Sequence, residues 1–120
     1  GKILVADQLP DTDPVKQLNL DFVKAYQDFT KGEPISTFAG HAYDALQWAI
    51  AALKTLPDGL SLAEQRAKVR EALEGLRNLP GTHGIFNLSP DDHLGFNYTD
   101  FVMVVVKDGK FQILPRDQWK

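Results

Sequence analysis

The stretch Ser36-Thr37-Phe38-Ala39-Gly40-His41-Ala42-Tyr43-Asp44-Ala45-Leu46 decides how this chain is read. From about Gly40 to Lys54 the pattern predicts a helix with Tyr43, Leu46, Ile50 and Leu53 on one stripe. Alanines at 42, 45, 49, 51 and 52 allow another element to approach closely, so this helix is expected to be the most buried one. Phe38 stands just ahead of it, where helix N–H groups attract carboxylates and where α/β proteins tend to open their pockets. The other aromatics at helical spacing, Tyr26, Phe29, Tyr43 and Trp48, read first as core. Taken alone, the pattern offers one functional feature, a helix-N-terminus pocket around Thr37 to Tyr43.

On the N-terminal side, Ile3 to Ala6 is a short apolar run closed by a polar, Pro-bearing stretch, and predicts a brief buried strand followed by a loop. Asp13 is the expected N-cap and Pro14 the first residue of a helix that runs to about Thr30. Its apolar face carries Val15, Leu18, Phe22, Tyr26 and Phe29. Gly32 suits a left-handed C-cap, and Pro34 prevents the helix from continuing.

On the C-terminal side, Ser61 and Glu64 match the capping box of a third helix, highly charged apart from Leu62, Val69, Leu73 and Leu76, and expected at the surface. Gly84 to Leu88 is short and β-like, and Ser89 to Gly95 is a polar loop. Phe101 to Val106 is strongly β-prone, and Asp108-Gly109 is a hairpin signal that turns Phe111 to Leu114 back antiparallel to it. The expected pattern is a strand, three helices, a strand and a terminal hairpin, an α/β or small α+β arrangement.

Composition bounds the function. The 120 residues carry 13 Lys+Arg against 16 Asp+Glu, a net charge of −3 that argues against nucleic acid as a partner. No cysteine is present, which excludes disulfides, thiolate metal sites and cysteine nucleophiles. The longest apolar run, Phe101 to Val106, is far short of the roughly 20 residues a membrane-spanning helix requires. His41, His83 and His93 with Asp91 and Asp92 are the nearest thing to a metal or acid–base constellation, but they lack metal-ligand spacing, and the 91–93 loop reads as a hydrogen-bonded turn. Ser36, Ser61 and Ser89 lie outside any nucleophile motif, and no glycine pattern cradles a phosphate. Neither an enzyme, a metal nor a cofactor is expected.

Together with VADQLP at 5–10, DFVKAY at 21–26, REALEGL at 70–76, GTHGIFNLSPDDHLG at 81–95 and FVMVVVKDGKFQIL at 101–114, the stretch STFAGHAYDAL resembles the type I periplasmic substrate-binding proteins of ABC importers. More narrowly, it is similar to the branched-chain amino acid (leucine/isoleucine/valine) group. The resemblance spans nearly the whole chain and implies a Rossmann-like α/β fold: part of one lobe of a two-lobed binder whose lobes close like a hinge on a ligand. Residues 1–120 would be a single fragment, the C-terminal third of such a protein.

The resemblance further implies a periplasmic or membrane-anchored extracytoplasmic location, a signal peptide in the precursor and an ABC permease as partner. The ligand would be an amino acid or related small carboxylate, branched-chain or aromatic. Phe38 would form an apolar wall, with Ala39, Gly40 and His41 as neighbours. His41 is more polar than an aliphatic binder needs, which leaves aromatic acids and short amides open. A ligand-sensing or interaction module of the same fold is the alternative. A part-lobe would also leave strand edges unpaired, at Ile3 to Ala6 or Phe101 to Val106, and so invite a homodimer or domain swap.

Overall fold

Three helices are set by local sequence signals. The structure, a computed structural model, describes residues Gly1–Trp119. The first helix, α1 (Lys16–Thr30), begins two residues later than its Pro14 signal implied, because Val15 keeps non-helical angles. Asp13 still does capping work: its carboxylate accepts from Val15 N–H at 3.0 Å and binds Lys2 Nζ at 2.8 Å. At the other end the left-handed residue is Lys31 (φ 60), followed by Gly32 (φ 97), whose N–H reaches back to Gln27 O. Of the predicted apolar face, Val15 is buried, whereas Phe29 is 88% exposed.

The second helix, α2 (Thr37–Leu53), starts three residues before the predicted Gly40 because Ser36 caps it, accepting from Ala39 N–H. It is the most buried of the three, with Gly40, Asp44 and Ala52 enclosed against Asn19 alone in α1 and none in α3. The buried row is not the predicted stripe, however. Leu46 and Leu53 are more than half exposed, and the enclosed face is the i, i+4 row Gly40, Asp44, Trp48, Ala52. A glycine and an aspartate in that row conceal it from any hydrophobic pattern. The third helix, α3 (Leu62–Glu74), carries the predicted capping box in full and lies on the surface.

What covers that row of α2 is a small hairpin. Strands β1 (Leu79–Pro80) and β2 (Ile85–Phe86) pair antiparallel, and the loop between them, Gly81 to Gly84, is closed by Gly81 N–H on Gly84 O at 2.8 Å. Phe86 meets Trp48 edge-on at 4.7 Å. Leu88 N–H bonds Leu76 O, and Arg77 donates to Leu88 O, tying the end of α3 to the hairpin. A second hairpin, β3 (Val104–Lys107) with β4 (Lys110–Ile113), turns at Asp108 (φ 51) and Gly109 (φ 71) as the sequence signal requires. Its residues remain largely exposed.

The predicted strand at Ile3 to Ala6 is not one. Lys2–Gln8 winds into 3-10 turns interrupted at Val5, with Leu4 N–H on Gly1 O at 3.1 Å. Among the described residues no strand pairs with the backbone of this segment, so its backbone groups pair locally, while Ile3, Val5, Ala6 and Leu9 are still buried. The core is small, and the Cα radius of gyration is 16.8 Å against about 14 Å for a compact domain of this length.

Candidate ligand-binding site

The hairpin loop Gly81 to Gly84 is clamped to α2 by one carboxylate. Asp44, 4% exposed, accepts Thr82 N–H on Oδ1 at 2.7 Å. Its Oδ2 takes Thr82 Oγ1 at 3.0 Å, His83 N–H at 3.2 Å and His83 Nδ1 at 2.8 Å. Four donors therefore converge on a buried anion, the arrangement that makes burial of a charge tolerable. Two glycines make room for it. A β-carbon on Gly40 would stand 2.5 Å from Thr82 Oγ1, and one on Gly81 would stand 2.7 Å from Asp44 Oδ1.

This clamp fixes the His83 ring. Nδ1 is held against Asp44 Oδ2, and Nε2 is buried without a hydrogen-bond partner. The His41 ring lies on the His83 ring, 3.8 Å between centroids and 18° between planes. Loss of solvent on that covered face pushes the His41 imidazole below its usual 6.5; the neighbouring His83 acts in the same direction and Asp44 against it.

The stacked pair forms one wall of a cavity of about 330 Å³. Thr37 from α2, Gly1, Lys2, Phe96, Asp100, Phe101 and Val102 complete the lining. Phe96 lies 6.1 Å from Phe101 and 6.3 Å from His83, so aromatic rings line much of the space. Asp100 accepts Asn97 N–H at 2.9 Å and Ile85 N–H at 3.4 Å.

Of the four residues expected to face a ligand, His41 lines this cavity. Gly40 lies behind it against Thr82, Ala39 is half-buried, and Phe38 points outward, 81% exposed, at the start of α2. Asp44, Thr82 and Phe96 are site residues the sequence reading did not single out, and His83 figured there only as an improbable metal ligand. A lone aspartate inside an alanine-rich apolar helix, and a Thr-His pair between two glycines, were the available signals. Among the described residues no group of three or more metal-ligand side chains comes together, and no helix is long and apolar enough to cross a membrane. The Ser89 to Gly95 loop is a turn, with Asp92 accepting from Leu94 and Gly95 N–H groups.

No protein-family model and no curated protein matches the chain. Solved structures do. An extracellular ligand-binding receptor from Rhodopseudomonas palustris superposes with a TM-score of 0.79 at 28% identity, over 96% of this chain and 33% of that one. A second, from Rhodopseudomonas palustris HaA2, gives 0.79 at 29% identity over the same shares, and a third, from the same strain, 0.78 at 25% over 94% and 32%. The chain thus spans about a third of the length of the structures it matches. The chain is α/β, with the fold of part of a periplasmic-binding-protein lobe.

Proposed function

We propose that the chain is the C-terminal third of the solute-binding component of an ABC importer, which holds an amino acid or related small carboxylate, branched-chain or aromatic, for a membrane permease. It works outside the cytoplasmic membrane and performs no chemistry. Delivery rests on unequal affinity of its open and closed forms for the solute. Phe38, Ala39, Gly40 and His41 form the ligand-facing end of α2, with Phe38 as the apolar wall turned to the facing lobe.

The observation that carries this reading is the aromatic-lined cavity at the N-terminal end of α2, in a chain similar over 96% of its length to extracellular ligand-binding receptors. A thermal-shift screen of the encoded protein at its full length, against amino acids and aromatic acids, tests it. At least one should raise the melting temperature in a concentration-dependent way. Phe38→Ala should weaken that ligand, whereas a flat response to the whole panel would remove the transport reading.

The fragment is further proposed to self-associate through β3. Its partner β4 is covered on its outer edge, because the Gln8 amide donates to Phe111 O at 2.9 Å and accepts from Ile113 N–H at 3.0 Å. Val104 and Val106 face those residues across the ladder, so their own backbone groups point away from the hairpin.

A further inference from the structure

One face of α2 is apolar from end to end and stands open. Ala42, Ala45, Leu46, Ala49 and Leu53 follow one another at i, i+3, i+4, i+7 and i+11, a stripe about 16 Å long. None of them belongs to the row that packs on the hairpin: Leu46 is 57% and Leu53 54% exposed, and Ala42 and Ala45 are exposed as well. α2 has no Lys, Arg or Glu, and its one Asp is spent on Thr82 and His83. The exposed helix α3 is built differently, with Glu64, Arg66, Lys68, Arg70, Glu71 and Glu74 to hold water around it. The apolar surface of α2 continues onto α1. Tyr43, three residues before Leu46, meets the Phe22 ring at 4.7 Å, and Leu18, Phe22 and Ala25 of α1 line one depression with it.

We infer that this two-helix surface is one layer of a packed pair whose other layer is the apolar face of a β-sheet, supplied by the rest of the lobe and seated along Ala42 to Leu53. The inference rests on the reading of the chain as the C-terminal third of a solute binder and names the surface that receives the remainder. Three observations select this occupant. The chain spans about a third of the structures it matches, which leaves two thirds of such a protein to provide a cover. Neither hairpin of the chain covers the face, since β1–β2 packs on the Gly40 to Ala52 row and β4 is tied to Gln8. The surface is also two helices wide and low, with alanine at three of the five α2 positions. That shape suits the side of a sheet, where α/β lobes seat their helices, whereas one helix of a second copy would cover α2 alone. The small side chains that predict close approach of another element thus point to an element not found among the described residues.

The test places a small thiol on the face. In the encoded protein at its full length, Ala45→Cys and, on the charged side of α3, Ala67→Cys are each made as the only cysteine and treated with a maleimide, beside the same variants of the 120-residue chain. In the full-length protein the Ala45→Cys thiol should react about 100-fold more slowly than the Ala67→Cys thiol, because labelling must wait for local opening. In the 120-residue chain the two should react at similar rates. A diazirine analogue of leucine at position 46, photolysed in the full-length protein, should insert outside these 120 residues and at alternate positions, as the face of a strand presents them. Equal labelling rates in the full-length protein overturn the inference and leave the solute-binding reading to the thermal-shift panel. A flat panel with the Ala45→Cys thiol still protected removes the transport reading alone. Protection already present in the short chain overturns the inference too, and its loss on dilution assigns the face to a second copy. Insertion at helical spacing, or within the 120 residues, also overturns it.

Discussion

The Asp44 carboxylate and the His83 imidazole meet at 2.8 Å between Oδ2 and Nδ1, both side chains less than a tenth exposed, so a helix and a hairpin loop share one buried charge. Removing the acceptor strands four donors. Asp44→Ala is expected to cost about 3–5 kcal/mol of stability, and Asp44→Asn, which keeps the shape but turns an amide toward N–H groups, about 1–3 kcal/mol. Urea denaturation of the two variants measures both, and an Asp44→Ala chain as stable as the parent would contradict the clamp.

Gly40 is a glycine inside a helix, where alanine ordinarily gains up to about 1 kcal/mol. Here the gain is outweighed. The added methyl would sit 2.5 Å from Thr82 Oγ1 and 3.1 Å from His83 Cε1, and overpacking of that kind costs about 1–3 kcal/mol. Gly40→Ala should therefore lower the melting temperature and displace the His41 and His83 resonances. Gly59→Ala, at φ +81 with nothing within 4 Å of the new methyl, should lose about 1 kcal/mol or so through backbone strain alone and leave both histidines undisturbed.

His41 sets a pH dependence. Its folded-state value lies below the 6.5 of the free side chain, chiefly through burial, so the unfolded chain takes up the proton first as pH falls. The His41 contribution to stability is complete above about pH 6.5 and is lost progressively as pH falls through that value toward the folded one. Chemical denaturation at pH 7.5, 6.5 and 5.5 should show the decline, and His41→Gln should flatten the part of the curve that belongs to this ring. A stability that rises on acidification over this range would reverse the sign of the argument.

At the open edge of β3, Val104→Pro deletes an N–H that faces away from β4, so the hairpin itself should persist. Sedimentation velocity over a concentration series should show association of the parent chain and less of it for Val104→Pro. Gln8→Ala, which uncovers the β4 edge, should increase it. A parent chain that stays monomeric throughout would dispose of the edge reading.

Local signals were the most legible part of the fold. The Ser61–Glu64 capping box, the Asp108-Gly109 turn and the Pro34 break each depend on residues a few positions apart, and each stands where the sequence put it. Long-range partnership was not legible. Ile3 to Ala6 has strand-forming residues but no strand paired with its backbone, so 3-10 turns satisfy it. The buried row of α2 was missed because its packing depends on Thr82, 38 residues away, meeting an aspartate that no apolar pattern includes. Of the site, the start of α2 with His41 was legible, whereas His83 acquires its place in the cavity wall only when the hairpin docks.

The shared carboxylate also distributes stiffness. The α2 end and the 81–84 loop cannot part without stranding a buried charge, so that wall moves as one piece. The 96–102 segment is fastened to the hairpin separately, by the Phe96 ring on Phe86 at 4.7 Å and by Asp100 with Ile85 N–H at 3.4 Å, and it carries no share of that charge.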